Sequence, residues 1–595
     1  MSRLPVLAFW TLIAATVGAF FITQHLKVTT PLLTGERVTP EVFNPLQGKS
    51  CGGVDHRQTT VSFYLAHRSD VVDVYVRDAS DDIVRTLASG RHLPKGVRFT
   101  FAWGGHEDNG ALAPDGVYHF EAVLREQNRP VNLTTESGAL LTAILTTALP
   151  HPVVGSVSPA LLPDPGVTGA TIHYSGNENR GGTILIYRTD LPGAPRVVKS
   201  FLTPWKGQAA VWDGTINGRP APAGTYLVGL DVTDVTCNTG SFPVVIPPPP
   251  GTTPRAGITV RYLAAQPPLV PLAGERSATV YVDSRRRPYR WSLARAGSRK
   301  PTASGKADQV ALAVPLRSSG AGLYALSVTC GRYRTAVPLV VGASQPQRVL
   351  VVLPALTWQG LNPGDEDGDG MPDTLAAGYP VRLERPLANG LPAGIADQAA
   401  LLAYLDKTHH PYDLTTDLGL MEGVGPGLTG HAAVVLAGDE RWLPSSLRSA
   451  LRRYVLTGGH VLSLGLDSLR ASVQLRAGNA LNPAPLTATD TLGAVFGPLT
   501  RDAGLITQVT DRLGIFNGTS GALTAAVSYE PVVRVAAPGR LATQAITNGG
   551  QAPIVGFDLG RGEVVDIALQ GFGSSLTHNV DAQELMNRVW TVLSH

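Results

Sequence analysis

The hydrophobic pattern in the last third of the chain predicts a strand, a helix and a second strand. Residues 432–438 form an unbroken run of small and β-branched apolar side chains that ends in charged residues, which is typical of a buried parallel strand. Apolar residues recur at three- and four-residue spacing over 447–455, and a second apolar run covers 461–466. Ligands of such βαβ units bind beyond the carboxyl ends of the strands. We therefore expect Glu440 and Asp467 to lie near any active site.

The same alternation of apolar runs and helical stretches extends over the whole C-terminal region. Strands that alternate with helices are typical of a mostly parallel sheet with helices on both faces. The pattern therefore predicts an α/β domain over residues 346–595.

The N-terminal pattern predicts a membrane helix. Residues 5–23 form an uncharged run of 19 residues between Arg3 and Lys27, and this length is just enough to cross a bilayer. We predict an uncleaved signal anchor and transmembrane helix within residues 1–30. It would attach the chain to the cell membrane by a single pass, with the body outside the cytoplasm. The alternative is a cleaved signal peptide, after which the protein would be secreted.

Two copies of one β pattern occupy residues 50–150 and 151–246. In each copy a tryptophan ends one strand, a turn rich in Gly, Asn and Asp follows, and a Pro-x-Gly-x-Tyr run begins the next strand. Because aromatic faces stack on sugars, Trp103 and Trp212 have two interpretations, as carbohydrate platforms or as core residues of a β-sandwich. We interpret them as core residues.

The repeated Trp-x-Gly and Ala-Pro-x-Gly-x-Tyr segments resemble the Ig-like module of the flagellar hook-capping protein, which is found in many bacterial surface and secreted proteins. The resemblance implies tandem Ig-like β-sandwiches over the two copies. A Pro-rich linker at 247–255 and a third β domain at 256–342 are predicted to follow them.

Composition narrows the function classes. The apolar fraction of 43% is too high for a disordered chain, and 65 glycines with 46 prolines favour many short strands joined by turns. A formal net charge of +3 over 595 residues gives no electrostatic footprint for nucleic acid, so we expect no nucleic-acid partner. The three cysteines, Cys51, Cys237 and Cys330, form no Cys-x-x-Cys pair. Their spacing indicates no zinc site and leaves open whether two of them form a disulfide.

Four segments of the C-terminal region resemble, in the same order, the C-terminal region of the large subunit of N,N-dimethylformamidase. They are 356–363, 412–420, 434–442 and 454–465. That region is similar in fold to class I glutamine amidotransferases, so the resemblance implies an amidotransferase-like α/β domain.

The resemblance implies two chemistries that the residues can be checked against. Amidotransferases place a cysteine nucleophile in the sharp turn after the strand that corresponds to 461–466. Here Asp467 stands at that place and no cysteine follows Cys330, which excludes thiol chemistry. His578 is the nearest late histidine, but no glutamate stands two residues beyond it.

Dimethylformamidase itself is understood to hold one iron ion with two tyrosines and a glutamate. Glu440 matches the glutamate, but Leu361 and Leu387 stand at the tyrosine positions. Since leucine cannot bind a metal and one carboxylate is too few for an iron site, we expect no iron and no catalysis of that kind. In the alternative interpretation, Glu440 is a strand-end carboxylate that pairs with Arg441 or caps the following helix.

An acidic segment early in the α/β domain predicts a calcium site. It carries aspartates at positions 1, 3, 5 and 9 of a loop with glycine at position 6, which is the start of an EF-hand calcium loop. The bidentate glutamate of position 12 is replaced by Ala376. Such partial loops resemble those of dockerins and thrombospondin type 3 repeats. The predicted ligands are Asp365, Asp367, Asp369, Asp373 and the carbonyl of Met371. The alternative interpretation is a solvated acidic turn.

Together these patterns predict a membrane-anchored, extracytoplasmic multidomain protein. Its β domains would carry a catalytically degenerate amidotransferase-like domain that acts in binding or assembly at the cell surface, with a surface polymer or a protein as partner. The alternative is an extracytoplasmic hydrolase of an amide or a glycan that uses Glu440 and Asp467 as a carboxylate pair. The sequence indicates neither the substrate nor the oligomeric state.

Overall fold

The N-terminal helix opens a chain that is otherwise dominated by strands. The computed structural model describes residues 4–29, 31–176, 181–204, 207–272, 276–316, 320–343, 345–501, 504–524 and 528–594. The first helix is α1 (Leu4–Thr29), and its side chains are described for residues 6–22.

The predicted membrane helix was wrong. In the part of the chain that the structure describes, no helix combines the length and the apolar character that crossing a bilayer requires. The predicted attachment to the membrane and the single-pass location in the cell membrane rested on this helix, and they are corrected with it.

The first β unit is a sandwich of a three-stranded and a six-stranded sheet, with orders β1-β5-β8 and β2-β11-β9-β6-β7, and β10 beside β9. Side chains of β5 alternate between buried and partly exposed, as expected for a strand with one face on the core. The strands are β1 (Leu33–Thr39), β2 (Val42–Phe43), β3 (Ser50–Cys51), β4 (Val54–Asp55), β5 (Thr59–Leu65), β6 (Asp70–Arg77), β7 (Ile83–Leu93), β8 (Arg98–Trp103), β9 (Gly116–Leu124), β10 (Arg129–Asn132) and β11 (Thr142–Leu145).

The second β unit repeats this topology, with sheets β12-β14-β17 and β13-β22-β20-β15-β16, and β21 beside β20. The last strand, β22, follows the Pro-rich stretch and pairs with β20 and β13. The strands are β12 (Val153–Ser158), β13 (Leu161–Leu162), β14 (Ala170–Ser175), β15 (Thr183–Arg188), β16 (Arg196–Leu202), β17 (Ala209–Trp212), β18 (Thr215–Ile216), β19 (Arg219–Pro220), β20 (Gly224–Thr233), β21 (Thr239–Phe242) and β22 (Gly257–Val260).

The repeated tryptophans are core residues, as predicted. Trp103 is 2% exposed and Trp212 is 1% exposed, so neither offers a face to a sugar. Each packs against the tyrosine of its own Pro-x-Gly-x-Tyr run, Tyr118 or Tyr226. Each tyrosine hydroxyl donates to the carbonyl of the proline four residues earlier. These paired contacts explain why both copies keep the same residue pattern.

A disulfide joins the first two sandwiches. It links Cys51, in the β3–β4 hairpin of the first, to Cys237, in the β20–β21 turn of the second. Beside it the Lys49 N–H donates to the Thr236 carbonyl. Cys330 is free and buried in the third β unit. The two sandwiches are therefore fixed to each other by a covalent bond at their contact.

The third β unit packs a three-stranded sheet, β23-β24-β27, against a four-stranded sheet, β26-β25-β28-β29. Leu387, from the region that follows, is buried in its core. The strands are β23 (Ala264–Gln266), β24 (Ser277–Asp283), β25 (Tyr289–Arg295), β26 (Pro301–Ala307), β27 (Ala311–Pro315), β28 (Gly322–Cys330) and β29 (Tyr333–Val341).

The C-terminal domain is built on a nine-stranded sheet of order β32-β30-β33-β35-β44-β43-β42-β39-β40. Its strands are β30 (Val349–Leu353), β32 (Asp413–Thr416), β33 (Ala433–Ala437), β35 (His460–Leu464), β39 (Leu505–Asp511), β40 (Ala522–Thr524), β42 (Arg540–Thr547), β43 (Ile554–Leu559) and β44 (Gly562–Ile567). Smaller sheets contain β31 (Val381–Arg382), β34 (Trp442–Pro444), β36 (Ala471–Arg476), β37 (Asn479–Leu481), β38 (Ala494–Phe496) and β41 (Val532–Val535). The helices are α2 (Ala355–Gly360), α3 (Ile395–Lys407), α4 (Asp417–Glu422), α5 (Ser445–Leu456), α6 (Phe572–Ser575) and α7 (Val580–Ser594), with a 3₁₀ turn at Leu375–Ala377.

The prediction of a mostly parallel α/β sheet was wrong. The sheet is mixed, because β32, β30, β33, β35 and β44 run parallel while every later neighbour pairs antiparallel. A tight turn at residues 560–561 joins β43 to β44. Strands that are buried on both faces have continuous apolar sequences in either orientation. The hydrophobic pattern therefore did not indicate that the later strands are antiparallel. The amidotransferase-like fold implied by the resemblance is not shown.

Candidate functional site

The parallel half of the sheet has its topological switch point at β30. This strand is the first of the domain, and it is flanked by β32 on one side and β33 on the other. The chain therefore leaves β30 in one direction and returns on the opposite side. Loops after these strands diverge at such a point and leave a crevice, which is where ligands bind in open sheets.

Asp417 and Glu440 form a buried carboxyl pair at this point. Asp417 begins α4 directly after β32, and Glu440 follows β33. Glu440 has no exposed surface and Asp417 is 1% exposed. The Asp417 carboxylate accepts hydrogen bonds from the N–H groups of Leu356 and Leu418. Among the described residues no N–H or hydroxyl donates to the Glu440 carboxylate, so its partner is the Asp417 carboxyl.

Two acids in contact cannot both ionise away from water, so the pair shares a proton. Burial raises the pKa of Asp417 to about 7. Burial, and then the neighbouring Asp417, raise the pKa of Glu440 well above its usual range. Glu440 was predicted from the sequence as a site residue, whereas Asp417 was missed. The sequence signal was weak, because the strand before Asp417, Asp413–Thr416, has only one apolar residue, Leu414.

Asp467 lies in a different environment from Glu440. It follows β35 with a left-handed φ of 56°, which marks the sharp turn that the resemblance implies. Its carboxylate is 3.4 Å from Nη2 of Arg441 and 3.5 Å from Nη1 of Arg470. Its N–H donates to one carboxylate oxygen of Glu530. The other oxygen of Glu530 accepts a hydrogen bond from Nη1 of Arg470 at 2.6 Å. The structure therefore does not bring Glu440 and Asp467 together as a facing carboxylate pair.

The two leucines at the tyrosine positions line a large cleft. It holds about 630 Å³ and lies between the second sandwich, at residues 189–192, and the C-terminal domain. Leu361 and Leu387 are both in its wall, as is Trp358. Because Glu440 has no exposed surface, its carboxylate is not presented in this cleft. The cleft therefore has leucines at the two positions where the resemblance predicts tyrosines.

Trp358, in the cleft wall, has one buried hydrogen-bond donor without a partner in the described chain. The residue is 4% exposed, and its indole Nε1 has no partner among the described residues. The rest of the wall is mainly apolar, with Leu191, Met371 and Leu391 among its members. A ligand that suits this wall has a mainly apolar body.

The structure brings three of the predicted calcium ligands together. One carboxylate oxygen from each of Asp365, Asp367 and Asp373 lies within 4.8 Å of the others. The Asp369 carboxylate instead accepts from the Tyr379 hydroxyl and from the Met371 N–H. Burial raises the pKa of Asp365 to about 7 and that of Asp373 to about 6. A divalent cation between these oxygens would remove the cost of burying the charges together.

The acidic loop also contacts the second sandwich. The Thr189 hydroxyl donates to the Gly370 carbonyl at 2.7 Å, and the Gly257 N–H donates to the Gly368 carbonyl at 2.8 Å. The Met371 side chain packs against the core of that sandwich. Thus the loop that holds the acidic cluster is part of the contact that forms the cleft.

Two families match parts of this chain. Residues 51–128 match the FlgD Ig-like domain. Residues 307–479 match the family described as N,N-dimethylformamidase beta subunit-like, C-terminal. Both resemblances inferred from the sequence are thereby confirmed. An Ig-like domain of this type together with a dimethylformamidase-like domain indicates a bacterial protein of the cell surface or the periplasm.

Comparison with whole proteins adds little. No curated protein sequence matches the chain. Solved structures with local similarity include a β-galactosidase from Bacillus circulans sp. alkalophilus, at 11% identity and a TM-score of 0.24, which covers 40% of this chain and 31% of the β-galactosidase. The N-terminal domain of mmIFT52 has 10% identity, a TM-score of 0.23 and coverage of 32% and 89%. The ligand-binding domain of human OSCAR has 14% identity, a TM-score of 0.21 and coverage of 35% and 93%.

Proposed function

We propose that this chain is an extracytoplasmic binding protein whose dimethylformamidase-like domain has lost the iron chemistry and offers the cleft instead. The observation that carries the proposal is the cleft wall, where Leu361 and Leu387 replace the tyrosines. The buried position of Glu440 supports it, because the remaining carboxylate does not face the cleft. The bound molecule is small and mainly apolar.

The disulfide and the matched domain types support the proposed compartment. Disulfides such as Cys51–Cys237 persist in oxidising surroundings, and they are rare in the cytosol of most bacteria. The FlgD-type Ig-like match at 51–128 supports a role in binding or assembly at the cell surface. Fractionation that recovered the native protein in the cytoplasm would contradict this part of the proposal.

The alternative hydrolase has less support. A carboxylate pair that acts on an amide or a glycan must face one substrate with both groups. Glu440 is buried beside Asp417, and Asp467 forms ion pairs with Arg441 and Arg470. No specific observation favours this function over binding.

Calcium is the second part of the proposal. The cation would be held by Asp365, Asp367 and Asp373, with the Met371 carbonyl as a further ligand. The grouping of the three carboxylate oxygens supports it. Because the same loop hydrogen-bonds to Thr189 and Gly257, the cation would stiffen the contact between the second sandwich and the C-terminal domain.

A fluorescent apolar probe tests the cleft. We expect anilinonaphthalene sulfonate to bind the native protein at one saturable site. Leu361→Asn puts an amide in the wall and should weaken binding at least about fivefold, which corresponds to roughly 1 kcal/mol. Leu456→Asn is the matched control, because Leu361 and Leu456 are both 38% exposed and Leu456 ends α5, outside the cleft wall. Equal affinities for the two variants, or no binding, would contradict the proposed cleft.

A further inference from the structure

A second, smaller pocket separates the second sandwich from the C-terminal domain. It holds about 260 Å³. One wall comes from residues 190–263 and the other from residues 363–388. Six charged side chains line it, three acidic and three basic: Asp190, Asp365, Glu366, Arg261, Arg382 and Arg385. Whether the pocket suits an anion or a cation depends on which of these side chains lack hydrogen-bond partners.

The three acids already have partners. Asp190 takes Nε of Arg188 at 2.9 Å, and Glu366 takes Nη2 of Arg382 at 2.9 Å. The Asp365 carboxylate accepts the N–H groups of Gly368 and Gly370. Asp190 and Glu366 therefore need no cation from this pocket, and Asp365 is one of the three carboxylates already proposed to hold calcium.

Two of the arginines have donors without acceptors. Arg385 is 2% exposed, and its Nη2 donates to the carbonyls of Gln359, Asn362 and Asp373. Its Nη1 has no hydrogen-bond partner among the described residues, and the nearest oxygen of Glu366 is 3.7 Å away. Nε of Arg261 likewise has no hydrogen-bond partner in the described chain, although Nη2 of the same side chain lies 3.6 Å from the Asp283 carboxylate. Buried guanidinium donors of this kind are costly unless an acceptor reaches them.

Gly364 keeps the space beside Nη1 open. A Cβ on this residue would lie 3.4 Å from Nη1 of Arg385, so a side chain here would stand against the free donor. Gly364 also lines the pocket, and its φ lies outside the left-handed region. The glycine is therefore not required by the backbone, and its effect is to leave room at the guanidinium.

The geometry points to a binding site for a small oxyanion, a carboxylate or a phosphate, held by Nη1 of Arg385 and Nε of Arg261. Guanidinium groups bind both classes through paired N–H donors. The anion would bridge the two walls, because Arg261 belongs to the second sandwich and Arg385 to the C-terminal domain. This site is separate from the proposed apolar cleft and does not depend on it.

Calorimetry with acetate, succinate and inorganic phosphate tests the site, in chloride buffer with a chelator so that calcium plays no part. Arg261→Leu keeps the apolar stem and removes the donor, and Gly364→Ala places a methyl group at Nη1. Each should weaken binding about tenfold or more, since a hydrogen bond to a charged group is worth roughly 1.5–3 kcal/mol. Arg196→Leu is the control, because Arg196 is exposed on β16 of the same sandwich and its loss changes the net charge equally.

Each calorimetric result either supports the anion site or overturns it. Binding of only the carboxylates or only phosphate would support the site and identify the ligand class. No heat with any of the three anions up to about 20 mM, well past a millimolar Kd, would overturn it. Wild-type affinity in both Arg261→Leu and Gly364→Ala would also overturn it. Gly364→Ala keeps every charge and hydrogen bond, so it decides the question even if Arg261→Leu fails to fold.

Discussion

The buried carboxyl of Glu440 lies beside the buried carboxyl of Asp417 inside the C-terminal domain, beneath the ends of β32 and β33. Both side chains are buried, and helix α2 directs the Leu356 N–H at Asp417. The contact therefore holds one proton at neutral pH, and it ties together the loops on both sides of β30.

This pair should make the folded protein less stable as pH rises. The pKa of Asp417 is raised to about 7 in the folded state, against about 3.9 in an unfolded chain. Between about pH 4 and pH 7 the folded state therefore binds more protons than the unfolded state, and the free energy of unfolding falls with rising pH.

We expect Glu440→Gln to reduce that slope, because the amide keeps the shape and donates to the Asp417 carboxylate without titrating. At pH 8 the variant should be more stable than the wild type by about 1–3 kcal/mol. Urea unfolding between pH 5 and pH 8 measures the slope. Glu422→Gln, at an exposed position that ends α4, should behave like the wild type. An unchanged slope in Glu440→Gln would show that the pair does not hold a proton.

Calcium should stabilise the folded protein slightly. Without a bidentate ligand at Ala376, the Kd is expected at about 10⁻⁴ to 10⁻³ M, as in extracellular calcium modules. At ~1 mM calcium this adds about 0.4 to 1.4 kcal/mol to the free energy of unfolding. Melting curves with calcium, magnesium and chelator measure it. Asp367→Ala should abolish the shift, and Asp308→Ala, at an exposed position elsewhere, should keep it. Equal melting temperatures of the wild type with and without calcium would leave the loop as an acidic turn.

Purified protein should carry less than about one tenth of an equivalent of iron, because the two tyrosines of the related iron site are leucines here and a single carboxylate binds iron weakly. Metal analysis after purification without chelator, and again after incubation with ferrous iron, makes the measurement. Stoichiometric iron in the wild type would mean that other residues supply the ligands and that the proposed loss of iron chemistry is wrong.

Reduction of the Cys51–Cys237 bond should lower stability. A crosslink over a separation of 186 residues restricts the unfolded chain strongly, and native disulfides commonly add about 2–4 kcal/mol. The urea midpoint of the wild type should fall with dithiothreitol, and the double variant Cys51→Ser/Cys237→Ser should show the lower midpoint with or without reductant. Cys330→Ala should retain the response to reductant, since Cys330 is outside the bond. If dithiothreitol left the urea midpoint of the wild type unchanged, a stabilising role of the Cys51–Cys237 bond would be excluded.

The sequence alone was sufficient for the repeated β units. Trp103 and Trp212 recur with the same turn and the same Pro-x-Gly-x-Tyr run, and such a pattern reports a local packing contact that each copy makes within itself. The acidic loop was also readable, because its ligand candidates are neighbours in sequence. Periodicity likewise placed the strand ends that carry Glu440 and Asp467.

Tertiary structure decided the rest. Side-chain periodicity reports how much of a strand is buried but not the direction in which it runs, so the antiparallel half of the sheet was invisible. It does not report which distant side chains meet either. Asp417 reaches Glu440 because β32 and β33 flank β30, and Cys51 reaches Cys237 because two sandwiches touch. The cleft and the smaller pocket both lie between domains, and their walls come from segments far apart in sequence. Only the packing of the folded domains brings these walls together.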